Sequence, residues 1–181
     1  MLTHQGLLKA VFLPKERFRV TEKDSTLVIL PMHHVFPLTS NHLMGLCSGM
    51  TLTFVNKIDA SLIKEMFREV KPTLMSLVPR ILELFYNKIQ ADIEERSKLL
   101  RKTISLLLIF NGFMRKRVFI NLGTKVFHEV HAVFGGRLRT IVSGGASLDK
   151  DIYQTYFELG LSIVEGYGLT ETYGAAVTHE L

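Results

Sequence analysis

Tryptophan is absent and cysteine occurs once, at Cys47. A single cysteine excludes an internal disulfide and a cysteine zinc cluster, and it suits a reducing, cytoplasmic setting. No apolar run approaches the roughly 20 residues that a spanning helix needs, the longest candidate being Ile104–Phe110. The opening MLTHQGLL lacks the charged start and long apolar core of a secretory signal. No G-x-S-x-G occurs, so the sequence has no nucleophile elbow. Acidic side chains are missing from Arg96 to His128, where eight Lys or Arg stand: Arg96, Lys98, Arg101, Lys102, Arg115, Lys116, Arg117 and Lys125. The rest of the chain carries 14 basic and 17 acidic residues, so the net charge of +5 belongs to that one segment.

What is present is a chain of 181 residues, 47% hydrophobic and 22% charged, which is long enough to bury a core. Its mean hydropathy of +0.21 is slightly apolar for a free-standing domain. Short β-rich runs recur at Thr26–Leu30, Thr51–Val55, Thr73–Val78, Leu138–Val142 and Leu161–Val164. Helical patterns stand between them. Leu7–Phe12 is expected to stop near Pro14, and Leu38–Gly49 to end on its glycine. Leu62–Val70 has Asp59 or Ser61 as candidate cap and a face of Leu62, Ile63, Met66, Phe67 and Val70. Pro79 starts a helix over Arg80–Ile93, Val126–Phe134 closes on Gly135-Gly136, and Asp149 caps a helix reaching Leu159. Repeated strand–helix units predict an α/β fold: a mostly parallel sheet of about five strands with helices on both faces.

Residues 94–127 break this rhythm as a helical basic insertion. Lys98, Arg101, Lys102 and Ser105 line one helical face, and Leu99, Leu100, Thr103, Ile104, Leu107 and Leu108 the other. Such a helix lies on an anionic membrane or forms a solvated face over a local core. No recognition motif for nucleic acid accompanies the charge, so a nucleic-acid partner is not expected. His128-Glu129-Val130-His131 is one residue short of the H-E-x-x-H zinc pattern.

The densest chemistry is in Ser162–Gly174, SIVEGYGLTETYG. An apolar run turns through Gly166-Tyr167-Gly168 and presents Thr170 and Glu171. Glycines admit close approach of a ligand to the backbone. A tyrosine offers a flat face for a base, a threonine hydroxyl donates to a phosphate oxygen, and a glutamate is a hard ligand suited to Mg²⁺. A second glycine turn, Ser143-Gly144-Gly145-Ala146-Ser147-Leu148, falls at the end of the preceding strand. A third segment, Leu30-Pro31-Met32-His33-His34-Val35-Phe36, follows the first strand and places His34 at its carboxyl end, where open α/β sheets bind ligands.

These three stretches, in this order, resemble the Y-G-x-T-E, S-G-G-A-P-L and L-P-x-x-H-x-[FY] motifs of the AMP-forming acyl-adenylate enzymes. The insertion resembles that of the long-chain fatty acyl-CoA synthetases. The resemblance implies a two-step ligation of a fatty acid, using ATP with Mg²⁺ and then coenzyme A. It implies that Thr170 meets the phosphates, Glu171 holds the metal, and Tyr167 stacks on adenine between Gly166 and Gly168. Ser143, Gly144, Gly145 and Ala146 would line adenine and acyl substrate, and His34 the acyl pocket. The family's phosphate loop, ribose-binding aspartate, hinge and small C-terminal domain have no counterpart in residues 1–181. The expectation is therefore an internal piece of the large N-terminal domain that does not complete adenylation alone. Two alternatives stay open: a non-catalytic membrane- or partner-binding module using residues 96–125, and a ligase that loads a carrier protein.

Overall fold

The computed structural model describes residues 2–55, 60–174 and 177–179, with residues 60, 61 and 177–179 described by backbone alone. Helix α1 (His4–Arg17) leads to β1 (Ser25–Val28), a short turn of helix α2 (Val35–Pro37), a π-helical stretch Leu38–Leu43 and α3 (Met44–Ser48). Next come β2 (Thr51–Phe54), α4 (Ala60–Val70), β3 (Leu74–Leu77) and α5 (Pro79–Glu94). The insertion supplies α6 (Lys98–Phe113), a π-helical turn Met114–Val118 and α7 (Gly123–Val126). The chain closes with α8 (His128–Val133), β4 (Thr140–Gly144), α9 (Lys150–Leu159), β5 (Ile163–Tyr167), the 3₁₀ turn Thr170–Thr172 and β6 (Val177–His179).

The sheet order is β2-β1-β3-β4-β5-β6, and β1 to β5 are parallel. Because β2 lies on one side of β1 and β3 on the other, the winding reverses at β1. In open α/β sheets that reversal opens a crevice at the carboxyl ends of the strands. One face of the sheet packs Leu27, Met75, Ile141 and Ile163 against Phe67 of α4, Leu82 of α5 and Tyr156 of α9. There Phe67, Phe85 and Phe134 meet edge-on, with centroids 5.4–6.0 Å apart, a geometry that adds about 0.5–1.5 kcal/mol per pair beyond burial. The other face packs Leu74, Val142 and Val164 against Val11 of α1 and Met44 of α3.

The amino-terminal ends of the strands are clamped by a polar cluster. Asp24 accepts from Thr73 Oγ1 at 2.7 Å, from the Thr21 N–H at 2.9 Å and from Arg139 Nη2 at 3.1 Å. These bonds join the entries of β1, β3 and β4. Burial alone would raise the Asp24 carboxyl, but the hydrogen bonds from Arg139, Thr73 and Thr21, with the Arg139 charge, outweigh it and hold the group below its ordinary value.

Several expectations shift. Helix α1 runs through Pro14 to Arg17, and the Phe18 and Val20 N–H groups close it on the carbonyls of Pro14 and Lys15. Leu38–Gly49 is π-helical for half its length before ending on Gly49 at φ 69°. Asp59 lies outside the described residues, and Ser61 sits inside α4, one residue past its start. Val126–Phe134 is broken at Phe127 into α7 and α8. Asp149 does cap α9, accepting from the N–H groups of Asp151 and Ile152. The sheet has a sixth strand, because β6 returns antiparallel along β5.

The insertion is rotated from its expected orientation. Asn111 and Gly112 are buried against α9, where Asn111 Nδ2 donates to the Glu158 carbonyl at 2.7 Å. Arg115 reaches the carbonyls of Phe157 and Leu161 and lies 4.1 Å over the Phe157 ring. Leu99 and Thr103, expected on the packed side, therefore face outward with Lys102.

Candidate functional site

The ladder between β4 and β5 sets the site. Ser143 pairs with Glu165 and Gly144 with Gly166, so the two glycine motifs lie side by side at the carboxyl edge. Strand β5 continues through Gly166 and Tyr167 instead of turning there, because β6 pairs with both. The turn of the second motif begins at Gly145, whose φ of 89° favours glycine.

Phe36 brings the third motif in. A Cβ on Gly144 would stand 2.9 Å from the Phe36 ring, and one on Gly174 would stand 3.1 Å from the Phe36 backbone. The segment after β1 is thus wedged between the turns after β4 and β5. His34 caps α2 through its backbone, is exposed, and has its ring centroid 4.3 Å from that of His33. Among the described residues no hydrogen bond joins His34 to Thr170 or Glu171.

The tip of the site is a self-contained turn. Thr172 Oγ1 accepts from the Leu169 N–H at 2.8 Å and donates to the Leu169 carbonyl at 3.1 Å. Its hydroxyl is used within the turn. Thr170 and Glu171 are exposed, and among the described residues no hydrogen bond or ion pair engages either side chain. Tyr167 is 66% exposed, which leaves its ring face available for stacking. Tyr173 faces the opposite way: its hydroxyl bonds Thr3 at the start of α1, tying the turn to that helix.

The six remaining predicted positions divide by exposure. Gly145 and Ala146 are exposed, and Gly166 and Gly168 are half-buried. A Cβ on Gly166 would make only ordinary contact, 3.6 Å from Val142. The protein's own packing does not demand glycine there. Ser143 is 1% exposed, so it lies beneath the surface, and its hydroxyl has no hydrogen-bond partner among the described residues. Gly144 is likewise buried under Phe36.

Glu165 was not picked out as functional in the sequence. Its Oε1 accepts from the Leu148 N–H at 2.6 Å, which ties the end of β5 to the loop after β4. A carboxylate directly before the G-Y-G run was the available signal. A cavity of about 460 Å³ lies elsewhere, under α6 between α5 and α8. Its wall is mainly aliphatic and its rim carries the Arg96–Glu129 pair, 3.7 Å apart. It touches none of the motif residues. Among the described residues no group of three or more His, Cys, Asp or Glu could hold a metal by itself. Within α8, His131 makes a 2.9 Å bond to the Leu159 carbonyl, and burial pushes its pKa down.

The family model described as AMP-binding enzyme matches residues 1–181. The chain belongs to the AMP-binding enzyme family. Long-chain-fatty-acid–CoA ligase 5 of Rattus norvegicus is 30% identical over 190 residues, covering 98% of this chain and 27% of its own. The chain thus spans about a quarter of the length of that relative. The N-terminal domain of FACL13 from Mycobacterium tuberculosis shares the fold at a TM-score of 0.65 and 22% identity, covering 98% of this chain and 35% of that one. O-Succinylbenzoate coenzyme A synthetase from Bacillus subtilis, solved with ATP and a magnesium ion, gives a TM-score of 0.64 at 18% identity, covering 98% and 28%.

Proposed function

We propose that this chain forms the nucleotide-facing wall of an ATP-dependent fatty acid–CoA ligase. The observation that carries the reading is the juxtaposition of Gly144 and Gly166 across one ladder, with Thr170 and Glu171 free beside it. In the proposed reaction a fatty carboxylate attacks the α-phosphate of ATP, giving acyl-adenylate and pyrophosphate. The thiol of coenzyme A then displaces AMP. Positioning and charge neutralisation do most of this work, so no nucleophilic side chain is needed.

Each residue has a role in this proposal. Tyr167 stacks on adenine, and Gly145, Ala146 and Gly166 let the base and ribose approach the backbone. Thr170 donates to a phosphate oxygen. Among the described residues Glu171 is an unpaired carboxylate, which suits Mg²⁺: that ion keeps several waters and binds through one or two carboxylates plus substrate phosphates. Bound there, Mg²⁺ would offset phosphate charge. Coenzyme A is the acceptor in this proposal, in keeping with the likeness to coenzyme A ligases, and His34 is the group facing the acyl end. We place the protein in the cytoplasm, with peripheral membrane contact through residues 96–125.

Calorimetry with ATP and Mg²⁺ tests the reading on this chain and on a Thr170→Ala, Glu171→Ala double variant. Binding that the double change abolishes supports it. A parent chain that is folded by far-UV circular dichroism and binds no nucleotide contradicts it.

A further inference from the structure

The contacts of α6 with α9 determine which side of the insertion faces out. The outward side carries Leu99, Leu106, Ile109, Phe110 and Phe113, each more than half exposed. Their spacing of three, four and seven residues makes one continuous stripe along the helix. The stripe runs on past the π-helical turn to Phe119, which is held at φ 60° and is 90% exposed. Beside the stripe lie Lys98, Arg101 and Lys102, then Lys116 and Arg117, all exposed. No acidic residue occurs between Arg96 and His128.

We infer that this face of α6 and the Met114–Val118 turn lies in the headgroup layer of an anionic lipid bilayer. The inference rests on the reading of 96–125 as a contact surface, not on the nucleotide site. An apolar stripe beside unopposed cations matches a layer that is apolar below and anionic above. A second copy of the chain fits worse, since pairing stripe on stripe would bring Lys102, Lys116 and Arg117 against their like. A nucleic acid would satisfy the cations and leave the stripe in water. No helix among the described residues is long and apolar enough to cross a membrane. Helix α6, about 24 Å long at 1.5 Å per residue, would lie in the plane of the surface.

The absence of tryptophan makes the test direct. Single variants Phe113→Trp and Phe119→Trp of the whole chain are mixed with vesicles of phosphatidylcholine, alone or with phosphatidylserine. Leu46→Trp, on α3 and also more than half exposed, serves as control. The expected result is a blue shift of the emission of both insertion probes with phosphatidylserine vesicles only, reversed by high salt, and no shift of the control. Reversing Lys98, Lys102 and Lys116 to glutamate should weaken vesicle partition at least about tenfold. Four results would overturn the inference. They are no shift in a folded chain, equal shifts at Leu46→Trp, equal binding to neutral vesicles, and a shift without lipid that tracks dimer formation in sedimentation.

Discussion

The Leu148 N–H donates to Glu165 Oε1 at 2.6 Å. One carboxylate thereby joins the loop that follows β4 to β5, one residue before Gly166. Glu165→Ala is expected to cost about 1.5–3 kcal/mol, the range for a hydrogen bond to a charged group. Glu165→Gln, which keeps an acceptor, should cost less. Urea denaturation of the three proteins gives the comparison, and faster amide exchange at Leu148 in Glu165→Ala would locate the loss.

Gly144 and Gly166 are ladder partners, yet they should respond differently to a methyl group. At Gly144 the added Cβ meets the Phe36 ring at 2.9 Å. Gly144→Ala is therefore expected to destabilise by about 1–3 kcal/mol, as overpacking does. At Gly166 the added Cβ has ordinary contacts. Gly166→Ala should leave stability within about 1 kcal/mol while weakening nucleotide binding about tenfold. Thermal melts and calorimetry on the pair separate packing from ligand approach.

The sequence made part of this legible, and the reasons are local. The parallel strands announce themselves as short apolar runs, two of them closed by Pro31 and by Pro79, and the motifs follow the carboxyl ends of β1, β4 and β5. Strand β6 does not, because three residues acquire their shape only from pairing with β5. The outward side of α6 was hidden because both sides of that helix are apolar. Asn111 and Arg115 decide it, through carbonyls of α9 more than 40 residues away. In the site, Tyr167 at the end of β5 and Thr170 and Glu171 just beyond it are exposed. Ser143 is buried because both faces of β4 are covered, so Ile141, Val142, Ser143 and Gly144 are all buried.

His131 should make stability depend on pH. Its ring is buried and bonded to the Leu159 carbonyl, and burial, with a contribution from Arg115, holds its pKa below 6.5. A depressed native pKa means the unfolded chain binds the proton first. The contribution is complete above 6.5 and is lost as pH falls through the lower native value. Unfolding free energy should drop between about pH 7.5 and about pH 5.5. In His131→Gln that drop should shrink, as read from urea melts at the two pH values.

Asp24 acts in a lower window. Its depressed carboxyl contributes fully above its ordinary 3.8 and ceases to as pH falls through the native value. Asp24→Asn removes the charge that Arg139 and Thr73 face, at an expected cost of about 1–3 kcal/mol. Nucleotide binding should be unaffected, since the cluster sits at the opposite end of the strands. Denaturation and calorimetry on the same variant check both halves.

The central claim is that the nucleotide binds at the carboxyl edge of β4 and β5. Amide chemical shifts of the ¹⁵N-labelled chain, followed while AMP and then ATP with Mg²⁺ are added, test it most directly. The account predicts shifts at Gly145, Ala146 and Gly166–Glu171, with Thr170 and Glu171 moving further once Mg²⁺ and the extra phosphates are present. Shifts confined to the groove under α6, around Ile93, Leu100 and Val130, would contradict it, as would a folded chain whose spectrum does not change.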